Sequence, residues 1–560
     1  TRGFQSSVAP ELYFGLGTHT KIDTLRVVWP GGNSQEFIHT KANQILTVEQ
    51  DAAKAVLSVK EESKKILFSS NEVILPRHKH QENDKNDFDT QVLLPHKMSM
   101  LGPAIAVADV NNDGFEDYLV GGSFGKPANL FIQKKNGFEK KAIPAFKKDE
   151  LSEDLGALFI DADNDGDNDL YLVSGGYEYS ENSSFLQDRV YENDGKGNFV
   201  KIEKALPKFR SSGSKAYKID YDNDGKQDIL VLGRQVPGKY PMAASSFLLK
   251  NESNKSSIAF KNTTASVAPF LKNLGMATSA IVTDINNDNW QDIIIVGEWM
   301  PIKIYQNNNG VFTDVSEMIA GTANTTGWWW SIKEGDFDND GDLDYIIGNN
   351  GLNYKYKATK DETFDIYVND FDKNNEDDIV LSYYNEGKQY PLRGRQCSAQ
   401  QIPGLKNKFK NYDQFSNATL VDVYGQNNLD NALHYQIQSF ASIYLENKKE
   451  SFVVHELPIE AQVSSINQIL VEDYDKDGNL DAIIAGNLYN SEVETPRNDA
   501  SYGVFLKGTG TGKFIPVKSY KSGLYTSGDV KDMVEIEINK QQYIISTKNN
   551  DYVQFIKINN

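Results

Sequence analysis

"DFDNDGDLDYIIGNNG", Asp336 to Gly351, is the stretch whose reading decides the fold. Asp336, Asp338 and Asp340 stand at positions 1, 3 and 5 of a loop, Gly341 at 6 and Asp344 at 9. Hard oxygen donors at that spacing suit Ca²⁺, which takes roughly 6–8 oxygens at about 2.3–2.6 Å, position 7 usually giving a main-chain carbonyl. Glycine at position 6 allows the sharp turn, often with φ > 0. A helix–loop–helix calcium motif would also need a bidentate Glu at position 12. Here position 12 is Ile347, and the flanks "SIKEG" and "YIIG" are short and apolar. They are too short for helices and read as strands. The expectation is a strand–loop–strand hairpin closed by a metal.

The motif recurs six more times. The further loops carry Asp109, Asn111, Asp113 and Asp117; Asp161, Asp163, Asp165 and Asp169; and Asp220, Asp222, Asp224 and Asp228. They continue with Asp284, Asn286, Asp288 and Asp292; Asp370, Asp372, Asn374 and Asp378; and Asp473, Asp475, Asp477 and Asp481. Position 12 is apolar in each: Val120, Leu172, Val231, Ile295, Leu381 and Ile484. One such loop is as readily a solvated turn, but seven between β-branched runs are not. Asn289 and Asn375 replace the glycine, and asparagine enters the left-handed region more easily than most residues. The loops holding Asn111, Asn286 and Asn374 keep three carboxylates instead of four and are expected to bind metal more weakly.

Several loops are followed by a second strand pair with a Gly or Asn turn, as in "NLFIQKKNGFEKK" and "IKIYQNNNGVFTDV". Two hairpins per repeat make a four-stranded unit, and a radial array of such sheets is a β-propeller. The expected fold is all-β: a calcium-binding propeller of seven blades, with eight as the alternative, behind a small partial β-domain. The step from Asp336 to Asp370 lacks a second hairpin. The long step from Asp370 to Asp473 holds an insertion, about 383–435, with partly helical spacing. The tail 528–558 offers three more strands to close the ring. The polar stretch Leu75–Asp89 reads as a linker, and its His78 and His80 far more readily as solvated than as metal ligands.

These loops and their flanks resemble the FG-GAP/VCBS repeats of integrin α-type propellers. "DADNDGDNDLYLVSGG", "VGEWMPIKIYQN" and "GDFDNDGDLDYIIGNNGLN" resemble in particular a bacterial surface-protein group of Bacteroidota type, with animal relatives of the cartilage acidic protein kind. The start, with "FGLG" and "WPGG", resembles the ASPIC/UnbV domain, though the match begins late, as in the C-terminal part of a longer protein. The division implied is residues 1–50 as the ASPIC/UnbV-like part, 51–95 as linker and leading strands, and 96–560 as the propeller.

Composition is compatible with this. Lys and Arg number 58 against 78 Asp and Glu, a net charge of −20, so nucleic acid is an unsuitable partner. Seven Ca²⁺ would cancel most of that charge. Cys397 is alone, which excludes a disulfide framework. No apolar run is long enough to span a membrane, and any export or anchoring signal is expected ahead of Thr1.

Catalytic motifs dissolve on inspection. Ser123 in "GGSFG" precedes a strand, where a nucleophile elbow needs a helix. "GTGTGK" (508–513) has Phe514 where a phosphate loop needs Ser or Thr. Trp328, Trp329, Trp330 and Trp299 suit core packing better than sugar stacking. Two function classes follow. One is a non-catalytic surface scaffold that engages a protein partner or glycan, as an accessory subunit of an outer-membrane uptake or assembly complex, with Arg393 and Arg395 of the insertion either as contacts or, in the blander reading, paired with neighbouring blade carboxylates. The other is a polysaccharide lyase or hydrolase, since propellers host both; perturbed ionisable groups in the central channel would favour it.

Overall fold

The computed structural model describes residues 11–29, 33–50, 54–55, 66–318, 321–322, 324–449 and 451–559. The chain divides into two compact units, Thr1–Lys65 and Ile66–Asn560. The first is a small antiparallel sheet in which Lys21–Val28 pairs with Asn33–Lys41, whose start pairs with Lys54–Ala55. Trp29 Nε1 donates to Gln35 Oε1 at 2.9 Å across the turn. Thr1–Pro10 and the Pro30–Gly32 part of "WPGG" lie outside the described residues.

The second unit is a β-propeller. Its described residues form eight four-stranded antiparallel sheets, one of which gains a short fifth strand, Gly327–Trp328. Seven of these sheets adjoin cyclically through their first strands, which run in chain order as Ile105–Ala108, Glu153–Ile160, Gly213–Ile219, Met276–Thr283, Ser331–Gly335, Gln468–Glu472 and Val530–Ile538. The last touches the first, closing a ring of blades one to seven. Second strands such as Asp292–Met300 are buried along their whole length, which is why they read as continuous apolar runs rather than alternating ones.

Blade seven is closed by the N-terminal end of the unit. Phe68–Glu72 pairs with Gln554–Ile558 as its fourth strand, with Phe68 opposite Ile558. This blade has no acidic loop: Ile538 and Gln541 pair directly across Asn539 and Lys540, both at positive φ, as a tight right-twisted hairpin demands.

The seven loops therefore do not map one to one on the seven blades. Loop six, Asp370–Asp378, belongs to the eighth sheet, in the order Lys388–Pro391, Asp378–Asn385, Phe364–Asn369, Leu433–Ile437. That sheet is inserted between the second strand of blade five, Asp344–Gly348, and its third, Ile443–Asn447. This explains the short step after Asp336, and it widens the insertion from the expected 383–435 to residues 349–442. One face of the side sheet, with Phe364, Ile366 and Ile437, packs against Trp299, Trp328 and Tyr240 of the propeller. Its other face, Tyr367 and Val380, is covered by short helices from Arg395–Gln401 to Gln426–Asp430.

A second correction concerns Leu75–Asp89. It is an ordered part of the propeller unit: the Leu75 carbonyl accepts from the Phe138 amide of blade one, and the His80 amide donates to the Asp551 carbonyl of blade seven. His80 and Asp87 are buried. Asp87 Oδ2 accepts from the amides of Met98 and Ser99 at 2.6 and 2.8 Å. Two of its polar side chains are thus committed inside the unit, while Arg77, Lys79, Gln81, Asp84, Asn86 and Asp89 face solvent.

Candidate metal centres

Position 1 sets the frame of every loop. In the Asp336 loop, the amides of Asp340 and Gly341 donate to Asp336 Oδ1 and Oδ2, each at 3.1 Å. The same pair of bonds holds Asp109, Asp161, Asp220, Asp284, Asp370 and Asp473. Asn289 and Asn375 stand at φ +68°, so asparagine does replace glycine in the left-handed region. Position 4 is left-handed too in all seven loops, at Asn112, Asn164, Asn223, Asn287, Asn339, Lys373 and Lys476.

Position 9 is the inner wall. Asp117, Asp169, Asp228, Asp292, Asp344, Asp378 and Asp481 are all buried. In the six blade loops its Oδ1 accepts an amide from the third strand, for example Asn447 to Asp344 at 2.8 Å. Burial pushes these carboxyls up, to about 6 at Asp117, Asp292, Asp344 and Asp481 and about 7 at Asp169, Asp228 and Asp378.

Five loops bring three carboxylates together with ligand atoms within 4.8 Å of one another: Asp161, Asp163 and Asp165; Asp220, Asp222 and Asp228; Asp336, Asp338 and Asp344; Asp370, Asp372 and Asp378; and Asp473, Asp475 and Asp481. The two loops with an amide at position 3, Asn111 and Asn286, form no such carboxylate triad. Asn374, an amide at position 5, leaves the triad of its loop intact.

The donor set fits a hard divalent cation. Asp222 Oδ1, Asp372 Oδ1, Asp475 Oδ1 and Asp228 Oδ2 are buried without a hydrogen-bond partner. At Asp222 and Asp475 the other oxygen is held by a lysine, Lys250 and Lys507. Each lysine thus fixes the carboxylate with its free oxygen turned away from the ammonium, the way outer partners orient metal ligands.

Sequence reading missed a further residue. In blades two to five the third strand carries an asparagine at or one residue before its end: Asn193, Asn251, Asn307 and Asn447. Asn307 Nδ2 donates to the carbonyls of Gln291, in its own loop, at 3.2 Å and of Tyr221, in the preceding blade's loop, at 2.8 Å. Asn193 and Asn251 make the same bridge to Val110 and Ala162. The recurring "YEN", "LKN", "YQN" and "LEN" carried the signal.

The opposite face holds buried ionic groups rather than loops. Glu298, fully buried, receives Arg234, Tyr240 and His96, the last at 3.0 Å. Trp328, Trp329 and Trp299 are core, at no more than 3% exposed. Trp330 lines the axial cavity together with Arg234, Lys215 and Lys531. Arg393 is buried against Glu492, the carboxylate pairing weighed against a free contact, and Arg395 donates to the Phe409 carbonyl at 2.7 Å. Ser123 is buried in a blade turn with its hydroxyl on the Gln81 carbonyl.

The ASPIC and UnbV family profile matches residues 1–55, and that of the FG-GAP-like repeat matches 109–172, 161–231 and 284–347. The chain carries FG-GAP repeats behind an ASPIC/UnbV segment. Each FG-GAP match runs from position 1 of one loop to position 12 of the next, so the sequence repeat is offset from the blade and begins at the metal loop. No curated protein sequence matches the chain. Among solved structures it is similar to an Agrocybe aegerita lectin that recognises non-reducing terminal N-acetylglucosamine (15% identity, 76% of this chain and 80% of that one, TM-score 0.37). It is also similar to the V. cholerae biofilm matrix protein Bap1 (12% identity, 86% and 91%, TM-score 0.30). A third is Chaetomium thermophilum Sqt1 (11% identity, 82% and 95%, TM-score 0.38). Likeness at this level carries no function across. Among the described residues, no helix is long and apolar enough to cross a membrane.

Proposed function

We propose that this FG-GAP chain is a non-catalytic, calcium-stabilised scaffold at the cell surface that engages a protein partner or a glycan, as an accessory subunit of an outer-membrane uptake or assembly complex. The observation that carries the reading is the common frame of the seven loops, with free carboxylate oxygens turned inward at several of them. Each loop offers its own oxygens to one ion, which suits structure better than Lewis-acid chemistry on a substrate. What varies between blades is the connecting material, above all residues 349–442, and long connections on a rigid scaffold are where binding usually resides. The helical part leaves Tyr412 and Val421 exposed. The test is elemental analysis of the purified chain, expecting about seven calcium ions, alongside pull-downs from native membranes with the intact chain and with residues 392–430 replaced by a short linker. A specific partner held by the first and lost by the second, at unchanged propeller folding, supports the scaffold. Cleavage of polysaccharide at useful rates overturns it.

A further inference from the structure

The axial cavity lies at the end of the ring opposite the acidic loops, because its wall is made where the first strands begin. Leu155, Lys215, Thr278 and Lys531 stand within the first three residues of the first strands of blades two, three, four and seven. Leu101, Trp330 and Asn467 stand just ahead of those of blades one, five and six, so all seven blades meet at it. It encloses about 600 Å³ of empty space, partly open to solvent, within the roughly 300–1,000 Å³ usual for small-ligand pockets. Leu101, Leu155 and Leu488 supply its apolar part.

In a chain of net charge −20, this wall holds three cations, Lys215, Arg234 and Lys531, and among the described residues no carboxylate lines it. A cleft walled by one sign of charge concentrates ligands of the other. The counter-ions stay out of the wall: Arg234 pairs with Glu298, Lys531 with Asp529 at 2.9 Å and Lys215 with Asp532 at 3.9 Å. An ammonium carries three donors. Lys531 commits one to Asp529, and Lys215, too far from Asp532 to hydrogen-bond, commits none. Arg234 lies over the Trp330 ring, 5.5 Å from its centre, and the Trp330 indole N–H has no acceptor. The two hydroxyls of the wall are spent as donors. Ser214 Oγ donates to the Ala277 carbonyl and Thr278 Oγ1 to that of Trp329, each at 2.9 Å, which leaves both oxygens as acceptors. The cavity thus offers ammonium donors to an acid group, oxygens to ligand hydroxyls and leucines to a ring face.

We propose that the axial cavity binds a small hydroxy-carboxylate of monosaccharide size, a uronate being the type, with Lys215 and Lys531 as cations for the carboxylate and Ser214 and Thr278 as acceptors for hydroxyls. The site is separate from the partner contact sought in residues 349–442, so either can fail alone. Such a carboxylate arrives as a free acid or as the end residue of a glycan. Calorimetric titration of the full chain with glucuronate, glucose and cyclohexanecarboxylate tests the site. Glucuronate is expected to bind saturably, about tenfold or more tighter than glucose, which lacks the charge, and than cyclohexanecarboxylate, which lacks the hydroxyls. Lys215→Gln should weaken glucuronate about tenfold or more, whereas Lys148→Gln, an exposed lysine elsewhere, should leave it unchanged. Should Lys215→Gln fail to fold, Ser214→Ala keeps every charge and should narrow the preference for glucuronate over cyclohexanecarboxylate but not that over glucose. A glucuronate-ended oligosaccharide that competes with the free acid identifies a glycan end as the ligand; one that does not identifies the free acid. Equal binding of glucuronate and glucose, no saturable binding of glucuronate, or wild-type affinity in both Lys215→Gln and Ser214→Ala overturns the site.

Discussion

Replacing Asn307 by alanine tests whether the asparagine bridges hold neighbouring blades together. The side chain is fully buried and makes three bonds: to the carbonyls of Tyr221 (2.8 Å) and Gln291 (3.2 Å), and from the amide of Gly310 (2.8 Å). Alanine leaves all three backbone groups without that partner. A buried group so stranded costs about 1–3 kcal/mol, so a loss of about 3–5 kcal/mol is expected after partial relaxation. Asn307→Asp should cost at least as much, because it aims an acceptor at two carbonyls. The series supplies its own ranking. Asn193 makes four side-chain bonds, Asn251 three and Asn447 two. Their alanine variants should fall in that order, while Asn308, exposed with one bond to Thr313 at 3.3 Å, should cost about 0.5 kcal/mol. Guanidinium denaturation at saturating calcium measures each difference. A cost below about 1 kcal/mol for Asn307→Ala, or a larger cost for Asn447→Ala than for Asn193→Ala, refutes the bridging role.

Three further outcomes follow from the same structure. Calcium bound only by the folded chain adds about 2.7 kcal/mol per site at 100-fold excess over Kd, so chelation should lower the melting temperature markedly; an unchanged curve after confirmed metal removal contradicts this. Asp336→Ala removes the carboxylate that both loop amides hold and should abolish binding in its loop, whereas Asn286→Ala should only weaken a loop already without a carboxylate triad; equal losses of bound metal would contradict the ranking. Glu298→Gln should destabilise by about 3–5 kcal/mol, as removal of one partner from a buried ion pair does. Burial works to raise this carboxyl, but His96 and Arg234 prevail and hold it at about 2, against an ordinary 4.5. Its contribution is therefore complete above about 4.5 and vanishes as pH falls towards 2, so the gap between wild type and variant should close over that window in acid unfolding; a gap that widens would be inconsistent with the pairing.

The loops were legible because their chemistry is contiguous. Twelve residues set the donors, the turn and the burial switch at position 12, and no distant partner is needed to recognise them. Features that depend on distant partners were not legible. His96 and Glu298 are separated by 202 positions, and Asn251 and Ala162 by 89. In Leu75–Asp89, buried Asp87 and exposed Asp84 and Asp89 look alike in sequence, because polarity alone does not distinguish a group facing water from one facing a buried amide. The partner of Arg393 was hidden for the same reason: Glu492 lies in another blade's connection. The side sheet was hidden because its hairpin carries the same loop as a blade.

That last coincidence bears on how the propeller uses its two faces. The acidic loop at the first turn frames its hairpin whether or not that hairpin belongs to a blade: in loop six the amides of Asn374 and Asn375 donate to Asp370 as their counterparts do in the ring. The six blade loops join first strands to second and so lie on one face, where the asparagine bridges link neighbouring blades. The connections from second to third strand emerge on the other face, and there the chain has diverged: a side sheet over Trp299 and Trp328, helices over the side sheet, and an N-terminal segment carrying His80, Glu82 and His96. Hairpins framed by these acidic loops on one face leave the other free to accept inserted elements without loss of the ring, because the ring contacts run through first strands that the insertion does not interrupt. Blade five shows this directly: Ile347 and Ile443 pair as adjacent strands although the entire insertion separates them.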